Sequence, residues 1–324
     1  QRQMCIRDSP NCWNDIEYLR QQKGKDLPNW NDLCYCPLAG TQAILEKHGD
    51  RDLNNASLLL ALASWRKYKE IYSFSDELKE TLFAQNEDIV IPTNVLYQMP
   101  FPCIYISFNE DEGFFVFFEQ DMHTFQMELR FCEVSKTKPM FNSWVHIGDN
   151  FTIYDGIAEG IDLAIKNQKK YNLPYSVPEK EAKLYYFNKV SKLFQLVLYI
   201  CAENAEIEEN QKQKQITHRS SKSKQPKDVC REIRSWDVGV KFAYKVRKAN
   251  SVTNDNNENK NENEILISTN NKHRFHRPHT RRGHWHHYWI GSQSDNSRRL
   301  ILKWTAPMFV GGGTENTITT IHKL

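Results

Sequence analysis

The apolar positions along the chain change period partway through. Up to about residue 85 they recur at helical spacing. Pro37 stands where a first helical turn tolerates it, Ala39, Ala43 and Ile44 follow, and Gly49 supplies a stop. Between Leu53 and Glu70, Leu58, Leu62 and Trp65 share one helical stripe, with Arg66, Lys67 and Lys69 pointing elsewhere. Ser75 ahead of Asp76 and Glu77 predicts a capped helix running to about Ala84.

From Ile89 the period shortens. Residues 103–108, 114–118, 126–134 and 140–147 read as β-branched and aromatic strands, and Phe125, Met127, Leu129 and Phe131 alternate through the third. The acidic stretch Asn109 to Gly113 reads as an exposed hairpin tip. Thr152 and Asp155 form a capping pattern before the helical stripe Ile157, Ile161, Ile165. Pro174 and Pro178 break the chain ahead of an apolar helix at about 180–203. Two polar stretches follow. Residues 206–228 are Glu, Gln, Lys and Ser, too polar to pack, and 250–264 is an Asn-rich insertion. Short strands are expected at 236–246, 285–290 and 299–304, and no internal repeat is visible. The pattern predicts an α+β fold, with a helical N-terminal region packed on an antiparallel sheet over 11–205. A linker at 206–228 then leads to a small, basic, mainly β domain over 229–324, with disorder near 250–271.

The 324 residues, 40% apolar and 26% charged, have globular composition and enough length for about two domains. Net charge is only +3, but it is unevenly placed. Up to residue 210 there are 21 basic and 31 acidic side chains, and beyond it 22 basic and 9 acidic. An acidic body carrying a basic C-terminal part points to anionic partners. The longest apolar run, Leu193 to Ala202, is half the length of a bilayer span, so no membrane partner is expected. No secretory leader is visible, and the scattered cysteines read as reduced, mostly buried thiols of a cytoplasmic protein. The run Met4 to Ser9 resembles translated sequencing adapter. Residues 1–10 are therefore set aside, and the natural N-terminus is expected to be missing.

Six of the eleven histidines fall between His273 and His287. A metal reading would use His284 and His286 on one strand face, but no Cys or carboxylate in the segment completes a ligand set. A nuclease reading would take His279, His284 or His286 as general base beside Arg277, Arg281 or Arg282. A binding reading places arginines on phosphates, with Trp285, His287 and Trp289 as stacking surfaces. Arg298, Arg299, Lys303 and Trp304 would extend that surface on the next strand, and Tyr288 lies within it. The plainest reading makes Trp285, Trp289 and Trp304 the core of a small β unit. No metal or cofactor is expected. Gly311 to Gly313 lacks the helix and the Lys-Ser/Thr pair of a phosphate loop. His123 and His146 read as ordinary surface or core residues, and the acidic, Trp-bearing body as a candidate peptide groove.

Arg277-Pro278-His279-Thr280-Arg281-Arg282-Gly283-His284-Trp285-His286 with Tyr288-Trp289, followed by Lys303-Trp304 and Pro307 to Val310, resembles the C-terminal signature of a type V-A anti-CRISPR family. That signature alone recurs in other mobile-element proteins. Upstream blocks make the assignment: Ser64-Trp65-Arg66 through Asp76-Glu77, Ile91-Pro92-Thr93 through Tyr105, and Leu198 to Glu203 follow in the corresponding order. The resemblance spans roughly 30–310 and departs at the Asn-rich insertion and beyond Val310. It implies a non-enzymatic inhibitor that lowers the amount of the V-A effector nuclease. Its partner would be the nascent N-terminal peptide of that effector, with loss of the message and contact with mRNA or ribosome. Competing readings are a His-dependent ribonuclease and a mobile-element RNA- or DNA-binding protein.

Overall fold

The computed structural model describes residues 10–85, 88–171, 179–210, 232–248, 279–294 and 297–310. The adapter-like start, Arg277, the Asn-rich insertion, Gly311 to Gly313 and most of the expected linker lie outside them.

Three helices come first, α1 (Pro10–Gln21), α2 (Leu38–Lys47) and α3 (Leu53–Tyr68). Asp52 caps α3 by accepting from the N–H of Asn54. Leu58, Leu59, Leu60 and Ala61 of α3 are all buried, whereas Leu62 and Trp65 are only half-buried. The expected stripe is thus one part of a wider buried surface, because α3 packs on α2 and on the sheet at once.

Strand β1 (Glu70–Phe74) leaves α3 directly, followed by α4 (Asp76–Phe83), α5 (Thr93–Leu96) and β2 (Cys103–Ser107). Strands β3 (Glu112–Gln120), β4 (Met127–Ser135) and β5 (Phe141–His146) complete a meander. Helices α6 (Ile153–Tyr171) and α7 (Glu179–Cys201) follow, then β6 (Ile207–Glu209) and β7 (Arg234–Val238). A further helix covers 240–248. The chain ends in β8 (His279–Arg281), β9 (His284–Ile290), β10 (Arg299–Thr305) and β11 (Met308–Val310).

Seven strands form one sheet in the order β5-β4-β3-β2-β1-β7-β6. β2 to β5 pair antiparallel as expected, but β1 runs parallel to both β2 and β7. The sheet is therefore mixed, which corrects the purely antiparallel expectation. The crossover through α4 and α5 is what allows β1 and β2 to lie parallel, since a hairpin cannot. Helices cover both faces. Phe114, Val116 and Phe118 of β3 pack towards α6 and α7, while Phe115 and Phe117 pack towards α3. Burial on both faces explains why β3 is a continuous apolar run rather than an alternating one.

The capping pattern at α6 is realised, with Asp155 N–H donating to Thr152 Oγ1 at 3.1 Å. Ser75 behaves otherwise. Its hydroxyl donates to the carbonyl of Gly239 at 3.0 Å instead of capping α4. The strand expected over 236–246 stops at Val238, because Gly239 takes a φ of 77° and turns the chain into the 240–248 helix. Glu206 accepts from the backbone N–H groups of Lys241 and Phe242 and so caps that helix.

Residues beyond the expected linker share the sheet and the core of those before it. Glu70, fully buried on β1, pairs with Arg234 and accepts from Trp236 Nε1 at 2.6 Å. Trp285, Leu302 and Trp304 join the cluster built by β1 to β5 and α7. Six described cysteines are buried, and none forms a disulfide among the described residues.

Candidate functional site

β9 and β10 form an antiparallel hairpin with Trp285 opposite Trp304, His286 opposite Lys303 and Tyr288 opposite Ile301. Alternation along each strand gives the hairpin two faces. On the inner face the Trp285 and Trp304 rings lie 5.1 Å apart at 60° and are 8% and 5% exposed. Trp285 Nε1 donates to Oε1 of Gln195, in the C-terminal half of α7, at 2.5 Å. Asn204 brackets the Trp304 backbone, accepting from its N–H at 3.1 Å and donating to its carbonyl at 2.7 Å. A Cβ on Gly283 would lie 2.5 Å from Trp304 Cζ2, so only glycine lets the ring seat there.

Of the two sequence readings, Trp285 and Trp304 follow the core one, and Trp289 does not. A two-stranded hairpin holds its shape by burying large rings against the body, and the Trp285 and Trp304 indoles are used for that.

The rest of the signature lies outside. Trp289 is 60% exposed, with the Arg298 guanidinium 4.7 Å from its ring centroid. His284, His286 and Tyr288 form a ladder on the opposite face, with ring centroids 6.4 Å and 4.5 Å apart in turn. Arg281, Arg282 and Arg299 are exposed. Lys303 sits 5.7 Å from the Tyr288 ring and 2.9 Å from the Glu203 carboxylate. His279 is placed by its backbone, in register with Val310. Arg277 falls outside the described residues. Most of the predicted positions that are described thus lie on this hairpin, with exposed cations and rings on both of its faces.

The imidazoles differ in what they can do. His287 Nε2 faces the carbonyl oxygen of Val90 at 2.7 Å and so carries the proton, which fixes that ring on the body. His284 Nδ1 lies 3.4 Å from the Arg282 carbonyl, and His286 Nδ1 lies 2.9 Å from the His287 carbonyl. A donating Nδ1 leaves Nε2 as the acceptor of the neutral ring. Among the described residues no group of three His, Cys, Asp or Glu side chains is placed to hold a metal ion.

A second polar constellation lies inside the body. Arg130 bridges two buried carboxylates, Glu119 at 3.1 Å and Glu128 at 2.8 Å, and His146 Nε2 reaches Glu128 at 3.1 Å. Burial pushes the Glu119 carboxyl up, offset only in part by Arg130. Burial acts the same way on Glu128, but Arg130 and the His146 hydrogen bond overcome it and hold that carboxyl down. One guanidinium for two buried carboxylates leaves a surplus negative charge, so the less supported carboxyl keeps its proton. Glu119 also accepts from the Leu38 N–H at 3.1 Å and so ties the start of α2 to the sheet.

Sequence reasoning missed Gln195 and Asn204, which seat the hairpin. The signal for Gln195 was present, since it is the single polar residue within the run Leu193 to Ala202.

A model of the anti-CRISPR type V subtype A2 family matches residues 72–312, from β1 to just past β11. The chain belongs to that family. A crystal structure of AcrVA2 superposes with a TM-score of 0.58, covering 96% of each chain at 16% identity. At that identity the likeness extends to the fold. No curated protein matches the chain. Within the type V subtype A2 family frame, the hairpin and the turn at 203–204 that seats it both lie inside the matched span.

Proposed function

We propose that this anti-CRISPR chain lowers the level of the type V-A effector nuclease by recognising its nascent N-terminal peptide and promoting loss of its mRNA. The observation that carries the reading is the exposed cationic and aromatic hairpin locked onto an acidic body. A peptide leaving the ribosome is surrounded by phosphate. Arg281, Arg282, Arg298 and Arg299 supply forked donors for phosphate oxygens, and Trp289 and Tyr288 supply faces for unpaired bases. The same phosphates repel the first 210 residues, with their excess of acidic side chains, so the molecule meets RNA hairpin first. The body is left to hold the peptide. Translation places this work in the cytoplasm of the bacterial host, and no helix among the described residues is long and apolar enough to cross a membrane.

The test uses ribosomes stalled with the effector's first residues outside the exit tunnel. The protein is expected to co-sediment with them, and not with ribosomes displaying an altered N-terminal peptide on the same message. Equal co-sedimentation with both would reduce the reading to general RNA affinity.

A further inference from the structure

A cleft of about 280 Å³ opens between α1, the segment following it and the C-terminal half of α3. Three cations line it, each held over a ring. The Arg20 guanidinium lies 4.0 Å from the Tyr35 centroid, Lys23 Nζ 5.4 Å from Trp30, and Lys67 Nζ 5.5 Å from Tyr68. Arg20 is paired with Glu17, and Lys23 with the fully exposed carboxylate of Asp32. Lys67 has no carboxylate partner among the described residues.

Ser64 lies one helical turn before Lys67, on the same side of α3, and also lines the cleft. It is 3% exposed, and its hydroxyl has no hydrogen-bond partner among the described residues. A buried hydroxyl in that state is destabilising, and an acceptor brought by a ligand relieves it. The cleft therefore offers a buried neutral donor beside an unpaired ammonium.

The ligand class follows from what the cleft lacks. Trp30 is buried, and Tyr35 and Tyr68 are half-buried beneath cations, so the cleft presents no open ring of the kind that Trp289 gives the hairpin. The volume fits one or two side chains and lies below the usual range of small-molecule sites, roughly 300–1,000 Å³. Leu33 and Pro102 add an apolar wall for a neighbouring residue. An isolated cationic spot on an acidic body selects by position rather than by general attraction.

We infer that this cleft binds the acidic side chain of an extended peptide, with Lys67 as the charge partner of its carboxylate and the Ser64 hydroxyl as a second donor. The inference rests on the nascent-peptide reading for the peptide's identity, and on the cleft alone for its chemistry.

The test therefore has two arms. In the first, the isotope-labelled full chain is titrated with acetyl-glutamyl-phenylalanine amide and, separately, with the glutaminyl analogue. The glutamyl probe is expected to shift the Ser64 and Lys67 amides and the Trp30 indole signal, and the glutaminyl probe to leave them in place. In the second, a peptide with the effector's N-terminal sequence is bound to the wild type, Lys67→Gln and Ser64→Ala. Loss of a hydrogen bond to a charged group predicts about a tenfold weaker complex for Lys67→Gln, with a smaller loss for Ser64→Ala. Ser64→Ala removes an unpartnered hydroxyl, so its fold is kept and its binding can be read directly.

Equal or absent shifts with the two probes overturn the cleft assignment whatever the second arm shows. An effector peptide that binds all three proteins equally also overturns it and leaves the nascent-peptide reading standing. A glutamyl-specific shift with no binding of the effector peptide keeps the carboxylate site and removes the nascent-peptide reading.

Discussion

Trp285 donates its indole N–H to the side-chain oxygen of Gln195 at 2.5 Å, fastening the C-terminal hairpin to the longest helix of the body. Both side chains are buried, so neither group has water to fall back on. Replacing Trp285 with Ala is expected to lower unfolding stability by about 3–5 kcal/mol. Gln195→Leu leaves the indole N–H unpaired and is expected to lose about 1–3 kcal/mol. Urea unfolding curves of the two variants check both figures.

Gly283 marks the tightest approach at the same place. Gly283→Ala drives a methyl into the Trp304 ring and is expected to destabilise by about 1–3 kcal/mol. The near-ultraviolet circular dichroism of the tryptophans weakens with it, while the far-ultraviolet helix signal stays.

The exposed end of the hairpin behaves differently. Trp289→Ala and Arg298→Ala remove exposed groups, and each is expected to leave stability within about 0.5 kcal/mol of the wild type. Affinity for single-stranded RNA is expected to fall by about 1–3 kcal/mol for Trp289→Ala. Arg298→Ala should reduce the slope of log affinity against log salt by about 1. Filter binding across a salt series measures both, and unchanged affinity in both variants would remove the hairpin from RNA contact.

The Glu119–Arg130–Glu128 cluster gives stability a two-sided pH dependence. Glu119 has a raised carboxyl in the folded state, so its contribution is full below the ordinary Glu range and is lost as pH rises through the raised value. Glu128 is depressed, so its contribution is full above that range and is lost as pH falls. Glu119→Gln mimics the protonated acid and is expected to abolish the decline on the rising side at little cost. Glu128→Gln leaves Arg130 undercompensated and is expected to lose about 3–5 kcal/mol near neutral pH. Urea midpoints against pH for the three proteins test the assignment.

Much of the fold was legible because it rests on local periodicity. The strands of the meander β2 to β5 follow from their β-branched and aromatic runs, and the α6 cap from a single hydroxyl. β1 was not legible. Its inward positions are Glu70, Tyr72 and Phe74, and a buried glutamate makes sense only beside Arg234 and Trp236, more than 160 positions later. The hairpin strands were read correctly, but alternation along a strand does not say which face meets the body. Trp285 and Trp289 share a face in sequence, and only the position of α7 makes one core and leaves the other exposed. The cleft drew no attention because its cations come from the stretch Arg20 to Lys23 and from Lys67, which meet only in the folded chain.

The central claim is tested most directly by effector transcript abundance in bacteria with and without this protein. The native effector gene is compared with one whose first codons are synonymously recoded and with one whose N-terminal peptide is altered. The account predicts that transcripts fall for the native and recoded genes and persist for the altered peptide. Transcripts that stay level in all three, or that fall equally in all three, would contradict it.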